Sequence, residues 1–401
     1  MQLSLQCSNH AGVHNPIYRQ LLSRLFALTI EPGLLTMQPS ARDNDEVTDV
    51  NEAMMWCQRG FERIANCTRL TANGLARLFS NRRITSSGVF SGIGSAELAH
   101  GIIDKTADRF IDSLPAHDRP LLGPMTSFSA WGIERDHSCQ EALIAHPFGP
   151  ECIFSDVLDI LPPQARLACG LDGGTELQAA QLKEVIIKSK VDLSAWCVRH
   201  GRKCRLQRTH MHVAGTPCIN HSSMGKRELF SGSAAKLFFA WARLMRVLLI
   251  PIIFHENVPA FGTEALSDIL GDLYIIVRCL ICPTQLGWAT ARKRQISVLL
   301  LKAFILPQLA DSSHAQTQLV AEQRLDIENT VLMIFGRRRG FSWRAFLGTA
   351  SNDELRQELQ WASQRPGVRK RRQASACEDM FRDGPNSFLG ALTLPERRRF
   401  Q

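Results

Sequence analysis

The sequence predicts an α/β fold with a mostly parallel sheet, and three observations carry that expectation. From Ile84 onward, short apolar segments of strand length alternate with stretches of helical periodicity. The first of these segments runs straight into a glycine-containing turn and then a helix, in ITSSGVFSGIGSAELAHGI. The chain has 401 residues, 45% of them hydrophobic and 21% charged, which suits two or three packed domains and excludes a low-hydropathy disordered polymer.

The elements follow in order. Pro16 to Leu28 has the spacing of an amphipathic helix, with Tyr18, Leu21, Leu22, Leu25 and Phe26 on one face, closed by Pro32 and Gly33. Thr36 to Asn51 is polar and acidic and reads as a linker, and Glu52 to Phe79 as a second helical stretch. After the strand and turn at Ile84, Ser129 to Arg135 and Cys152 to Phe154 read as strands. Ile187 to Thr209 is mixed and basic, and Met211 to Ala214 is a short strand. Ser231 to Leu248 is a helix, with Leu237, Trp241, Leu244, Met245 and Leu248 at helical spacing. Leu249 to Phe254 reads as a buried strand, Gly262 to Asp272 as a helix, and Leu273 to Leu280 and Gln295 to Leu301 as strands. The pattern weakens after about residue 305, and there is no internal repeat.

Composition narrows the setting. The longest apolar run, Val247 to Phe254, is too short to cross a bilayer, so no membrane partner is expected. The N-terminus lacks the basic, apolar and small-residue regions of a secretory signal. Twelve scattered cysteines in a large chain fit reduced thiols better than a disulfide framework. The net charge is +9, and Val331 to Gln401 alone holds 14 Lys/Arg against 7 Asp/Glu. That surplus favours a polyanionic partner.

Several segments carry chemistry. Phe90, Gly92 and Gly94 lie on a turn that lets a ligand approach the backbone at a helix N-terminus, although a plain strand-to-helix turn has the same look. Glu97 stands where a dinucleotide fingerprint needs a third glycine, which disfavours that reading. Glu134 and Asp156 each follow a strand, where carboxylates can accept from a nucleoside's ribose hydroxyls and its adenine amino group. Pro217 and Cys218 sit on a glycine-containing loop, where a thiol can serve as nucleophile. Glu256 follows a buried strand as a candidate proton-sharing acid. Arg292 and Arg294 project to one side of an extended segment, suited to a base carbonyl or a phosphate.

In this order, FSGIGSAEL, the acid of GIERD, the acid of FSDVLD, GTPCINHSS, ENV and ARKR resemble the DNA (cytosine-5)-methyltransferases, over about residues 84 to 305. The resemblance implies a Rossmann-like S-adenosylmethionine-dependent methyltransferase fold. S-adenosylmethionine is then the methyl donor, lined by Phe90, Gly92 and Gly94, with Glu134 at its ribose and Asp156 at its adenine. Pro217 and Cys218 match the catalytic loop, Glu256 the acid of the ENV motif, and Arg292 and Arg294 the arginines that hold the target base. The implied partner is double-stranded DNA with a flipped cytosine, in the nucleus of a eukaryote or the cytoplasm otherwise. An RNA (tRNA) cytosine-5 methyltransferase and a truncated, non-catalytic nucleic-acid-binding relic are the alternatives.

On this reading residues 1–83 are an N-terminal helical appendage. Residues 84–305 are the catalytic domain with insertions at about 101–128 and 160–209, and 306–401 a basic, partial target-recognition region. The family's second glycine after Gly94 is Ser95 here, and Thr290 replaces a glutamine before the arginine pair. A closing Gly-Asn-x-Val segment is not found, so the chain is expected to stop inside or just after target recognition, as a fragment or truncated product would. Cys197, His200 and Cys204, with His210 and His212 beyond, have spacings that zinc can use. No C-x-x-C pair accompanies them, so a DNA-contacting basic loop is favoured and no metal is expected. Arg369 to Arg372 and Arg337 to Arg339 read equally as a nuclear import signal or phosphate-contact patch and as a solvated basic linker, and Trp288 and Trp343 read as packing residues.

Overall fold

A computed structural model of the chain describes residues 58–64, 83–119, 126–217, 234–287, 292–305 and 327–336. The chain divides into two compact units. The larger comprises Met1–Thr36, Phe61–Leu280 and Arg294–Thr330, and the smaller Met37–Gly60, Ile281–Lys293 and Val331–Gln401. The helix read over Pro16 to Leu28, the linker after it and the basic clusters at 337–339 and 369–372 lie outside the described residues, as do Trp288 and Trp343. Of the second N-terminal stretch, residues 58–64 are described and are helical. Among the described residues no helix is long and apolar enough to cross a membrane.

The larger unit is built on a nine-stranded sheet. Its strands are β1 (Arg83–Val89), β2 (Thr126–Ile133), β3 (Cys152–Phe154), β4 (Ser194–Cys197), β5 (Arg202–Arg205), β6 (Met211–Ala214), β7 (Ile252–Asn257), β8 (Tyr274–Ile281) and β9 (Arg294–Leu301). They lie in the order β5-β4-β3-β2-β1-β6-β7-β9-β8. β3, β2, β1, β6 and β7 run parallel to one another. β9 is antiparallel to β7, and the β4–β5 hairpin is antiparallel at the other edge. The described helices from β1 onward include α1 (Ser95–Ser113), α2 (His137–Ala145), α3 (Pro163–Ala168), α4 (Ala179–Lys188), α5 (Ala235–Leu248), α6 (Glu264–Leu270) and α7 (Ile327–Phe335). The fold class expected from the sequence is therefore the fold observed: a Rossmann-like α/β fold whose central strands are parallel.

Helices cover both faces of β1. Ser86 and Ser87 are consecutive on a strand, so their side chains point to opposite faces. Ser86 Oγ lies 3.1 Å from His100 Nδ1 on α1. Ser87 Oγ lies 2.8 Å from Nδ1 of His212, whose Nε2 accepts from Trp241 Nε1 of α5 at 3.1 Å. α1 buries Gly101, Thr106, Ala107 and Phe110, a stripe at helical spacing. Gly101 is needed there, because a Cβ at that position would stand 2.5 Å from the Phe148 ring. α5 buries Phe238, Trp241, Leu244, Met245 and Leu248. The expected face included Leu237 instead of Phe238, and Leu237 turns toward the cleft described below.

The strand read over Leu249 to Phe254 is displaced three residues along the chain, to Ile252–Asn257. Leu249 takes the left-handed conformation at φ 49° and ends α5, and Pro251 follows, so pairing starts only at Ile252. The shift puts His255, Glu256 and Asn257 on the strand itself. His255 and Asn257 point into the core, and Glu256 points to the other face.

Candidate active site

Strands β1, β2 and β3 succeed one another in one direction across the sheet, and β6 and β7 continue on the other side of β1. The chain thus reverses its direction of growth between β1 and β6, the kind of switch point where open α/β sheets bind ligands beyond their strand ends. The registers align those ends in one row. Val89 pairs with Ile133 and Ala214, Ile133 with Phe154, and Ala214 with His255. Phe90, Glu134, Ser155, Gly215 and Glu256 are the next residues, so five segments that are far apart in sequence open onto one edge of the sheet.

A cleft of about 480 Å³ occupies part of that edge, lined by residues that include Phe90, Glu134, Asp156, Pro217 and Leu237. The turn beneath it is tightly wound. Phe90, Gly92 and Gly94 all have positive φ, of 60°, 56° and 93°. Glycine adopts this region without strain, which accounts for two of the three positions. Glu134 holds the turn through its carboxylate: Gly92 N–H donates to Oε2 at 2.8 Å and Asp136 N–H to Oε1 at 2.9 Å. Each oxygen keeps a second lone pair. Asp156 accepts from Leu158 N–H at 2.9 Å, and Arg135 Nε lies 3.7 Å from its carboxylate. Burial pushes the Asp156 carboxyl above the usual range, and the Leu158 amide works against that shift.

Next to the cleft, the Gly215-Thr216-Pro217 loop is fixed from below. Thr216 Oγ1 lies 2.7 Å from His255 Nε2, and Asn257 Nδ2 donates to Thr216 Oγ1 at 3.0 Å and to its carbonyl at 3.2 Å. All three side chains are buried. On the opposite face of β7, Arg294 Nε lies 2.7 Å from Glu256 Oε1. Glu256 pairs across the strands with Ile296, so Arg294 is its diagonal neighbour on the same face. A Cβ on Gly215 would come within 3.5 Å of Glu256 Oε2, so the loop passes close over this carboxylate.

The structure brings together Phe90, Glu134, Asp156 and Pro217 around the cleft, sets Gly92 and Gly94 in the turn that follows Phe90, and pairs Glu256 with Arg294. Arg292 is exposed and belongs to the smaller unit. Cys218 lies outside the described residues. Thr216, His255 and Asn257 carry no local signal of their connection, although they flank the motif residues Pro217 and Glu256. Their link is a contact between neighbouring strands β6 and β7. Glu97, read only as a missing glycine, is buried in the first turn of α1, and burial raises its carboxyl above its ordinary value.

No family model and no curated protein matches the chain. Among solved structures it is similar to a putative DNA modification methyltransferase encoded within an E. coli prophage, at 16% identity and a TM-score of 0.31, over 55% of this chain and 47% of that one. It is also similar to the S. pombe Dnmt2 methyltransferase, at 12% identity and a TM-score of 0.30, over 55% and 50%. The Entamoeba histolytica methyltransferase EhMeth is similar at 14% identity and a TM-score of 0.31, over 55% and 54%. The chain spans about half the length of these structures. Its parallel strands, switch-point cleft and strand-end carboxylates define a Rossmann-like α/β fold with a ligand cleft at its switch point. In motif order the chain resembles the cytosine-5 methyltransferases.

Proposed function

We propose that the chain is an S-adenosylmethionine-dependent cytosine C5-methyltransferase acting on DNA. The observation that carries this reading is the Glu256–Arg294 pair, set beside the loop that leads into Pro217 and Cys218 and at the same sheet edge as the cleft. The cleft fits the donor in kind. Its volume falls in the small-molecule range, and three carboxylates, those of Glu134, Asp136 and Asp156, and a phenylalanine line it, as suits a charged, ribose-bearing nucleoside. When bound, S-adenosylmethionine supplies a methyl group on a sulfonium.

The residues then have distinct tasks. Glu134 and Asp156 accept from the ribose hydroxyls and the adenine amino group. Cys218 adds through its sulfur to C6 of cytosine, forming an S–C6 bond and making C5 enamine-like and nucleophilic. Glu256 stabilises the added state through N3 and the exocyclic amine, and Arg294 holds Glu256 in place. After C5 has gained the methyl group, loss of the C5 proton and breakage of the S–C6 bond restore the aromatic ring. The base must leave the duplex for any of this to happen.

Methyl transfer from radiolabelled donor into duplex DNA and into tRNA, run side by side, tests the reading. Counts in DNA are expected. Counts only in tRNA would move the substrate to RNA with the same chemistry. Salt-dependent DNA binding without transfer or donor binding would make the chain a non-catalytic relic.

A further inference from the structure

At one edge of the sheet, four side chains converge where the β4–β5 hairpin meets β3. Cys152 opens β3, Cys197 closes β4, His200 lies in the hairpin turn and Cys204 is on β5. Their ligand atoms all lie within 4.8 Å of one another. His200 Nδ1 is 3.6 Å from Cys152 Sγ, 3.4 Å from Cys197 Sγ and 3.5 Å from Cys204 Sγ. One ring nitrogen cannot form three good hydrogen bonds in the plane of its ring, so hydrogen bonding does not explain three sulfurs equidistant from it.

A tetrahedral ion does explain it. With Zn–S near 2.3 Å and Zn–N near 2.0–2.1 Å, tetrahedral angles set each sulfur about 3.5–3.6 Å from the nitrogen and the sulfurs about 3.8 Å apart. The three observed nitrogen–sulfur distances fall within about 0.2 Å of that value. We propose that Cys152, Cys197, His200 and Cys204 form a structural zinc site that clamps the β4–β5 hairpin to the β3 edge of the sheet. Three thiolates and an imidazole form a closed, soft ligand set, which suits zinc in a structural site and leaves no position for a substrate. The surroundings agree. Ile153 N–H points at Cys197 Sγ at 3.4 Å, the sort of amide contact that supports a metal-bound thiolate. Gly201, at φ 59°, turns the chain so that His200 and Cys204 face the same point.

The hairpin has reason to need a clamp. Its ladder with β3 consists of the single pair Phe154–Cys197, extended by Val198 N–H to the Ile153 carbonyl at 2.7 Å. β5 is mostly exposed and carries Arg202, Lys203 and Arg205. Four-residue strands of this composition hold little apolar surface against the core.

The full chain, purified without chelator, should contain one equivalent of zinc by elemental analysis. In competition with a chromophoric chelator, Cys152→Ser and Cys204→Ser should each release it with affinity lowered about ten-fold or more. Cys139→Ser, outside the cluster, should retain it. Cobalt exchanged into the wild-type chain should give the intense absorption of a tetrahedral thiolate site, a readout that stands even if the serine variants fail to fold. Folded wild-type protein without zinc, a disulfide among the three cysteines, full zinc retention by Cys204→Ser, or a cobalt spectrum without thiolate bands would overturn the proposal.

Discussion

Arg294 Nε meets Glu256 Oε1 at 2.7 Å across antiparallel strands β7 and β9, on the face of the sheet opposite His255 and Asn257. The Glu256 side chain is 45% exposed, so the pair contributes about 0–1 kcal/mol to folding. A positioning role fits that geometry better than a stabilising one. Glu256→Gln should therefore leave the urea midpoint nearly unchanged while lowering methyl transfer by about 10²–10⁴-fold, the usual range for loss of a general acid–base group. Equal losses of stability and activity would argue for a structural pair.

Glu134 both ties down the glycine turn and faces the cleft. Glu134→Ala removes charge-assisted hydrogen bonds worth about 1.5–3 kcal/mol, so donor affinity measured by titration calorimetry should fall about ten- to a hundred-fold. Glu134→Gln keeps one acceptor oxygen and should lose less. An unchanged affinity in the alanine variant would remove Glu134 from the donor site.

Thr216→Val keeps the shape of the side chain but removes the oxygen that meets His255 and Asn257. Both partners are buried, so unfolding in urea should show a loss of about 1–3 kcal/mol. Methyl transfer should fall as well, because the loop before Cys218 loses its anchor. A variant as stable as wild type would show that the loop is held by other contacts.

His212 should give the fold an acid-sensitive core. Burial, and to a lesser extent the His255 ring, hold its pKa down to about 3. An unfolded histidine titrates near 6.5. Between these values the unfolded chain binds a proton that the folded chain refuses, so stability is full above about pH 6.5 and falls as the pH drops through that window. At about pH 5 this one group costs about 2 kcal/mol relative to neutral pH. His212→Gln should be less stable at neutral pH, having lost shape and partners at Ser87 and Trp241, but its stability should change less between pH 7 and 5. An identical pH slope in both chains would contradict the assignment.

The parts legible in sequence are those where local chemistry is unambiguous. Gly92 and Gly94 marked the turn after β1 because positive φ selects glycine, and the apolar stripe of α5 marked a buried helix. The β4–β5 hairpin read only as a basic, mixed stretch, since strands such as Arg202–Arg205 have neither length nor alternation. The start of β7 was misplaced because Leu249 and Ile250 are apolar enough for a strand, while the backbone at Leu249 is committed to ending a helix. Cys197, His200 and Cys204 stood out by spacing. Cys152 did not, because only the pairing of β3 with β4 brings it to them. For the same reason Thr216 and Asn257 looked unrelated until β6 and β7 were seen side by side.

In the proposed mechanism Cys218 attacks C6 of a flipped cytosine, and proton loss from C5 precedes its release. Fluorine at C5 blocks that release, so duplex DNA carrying 5-fluorocytosine should capture the chain after methyl transfer. The measurement is a denaturing gel of the chain incubated with such DNA and S-adenosylmethionine. A slow-migrating covalent complex that requires the donor and disappears in Cys218→Ala is the predicted result. No complex from the folded wild-type chain, or a complex that persists in Cys218→Ala, would contradict it.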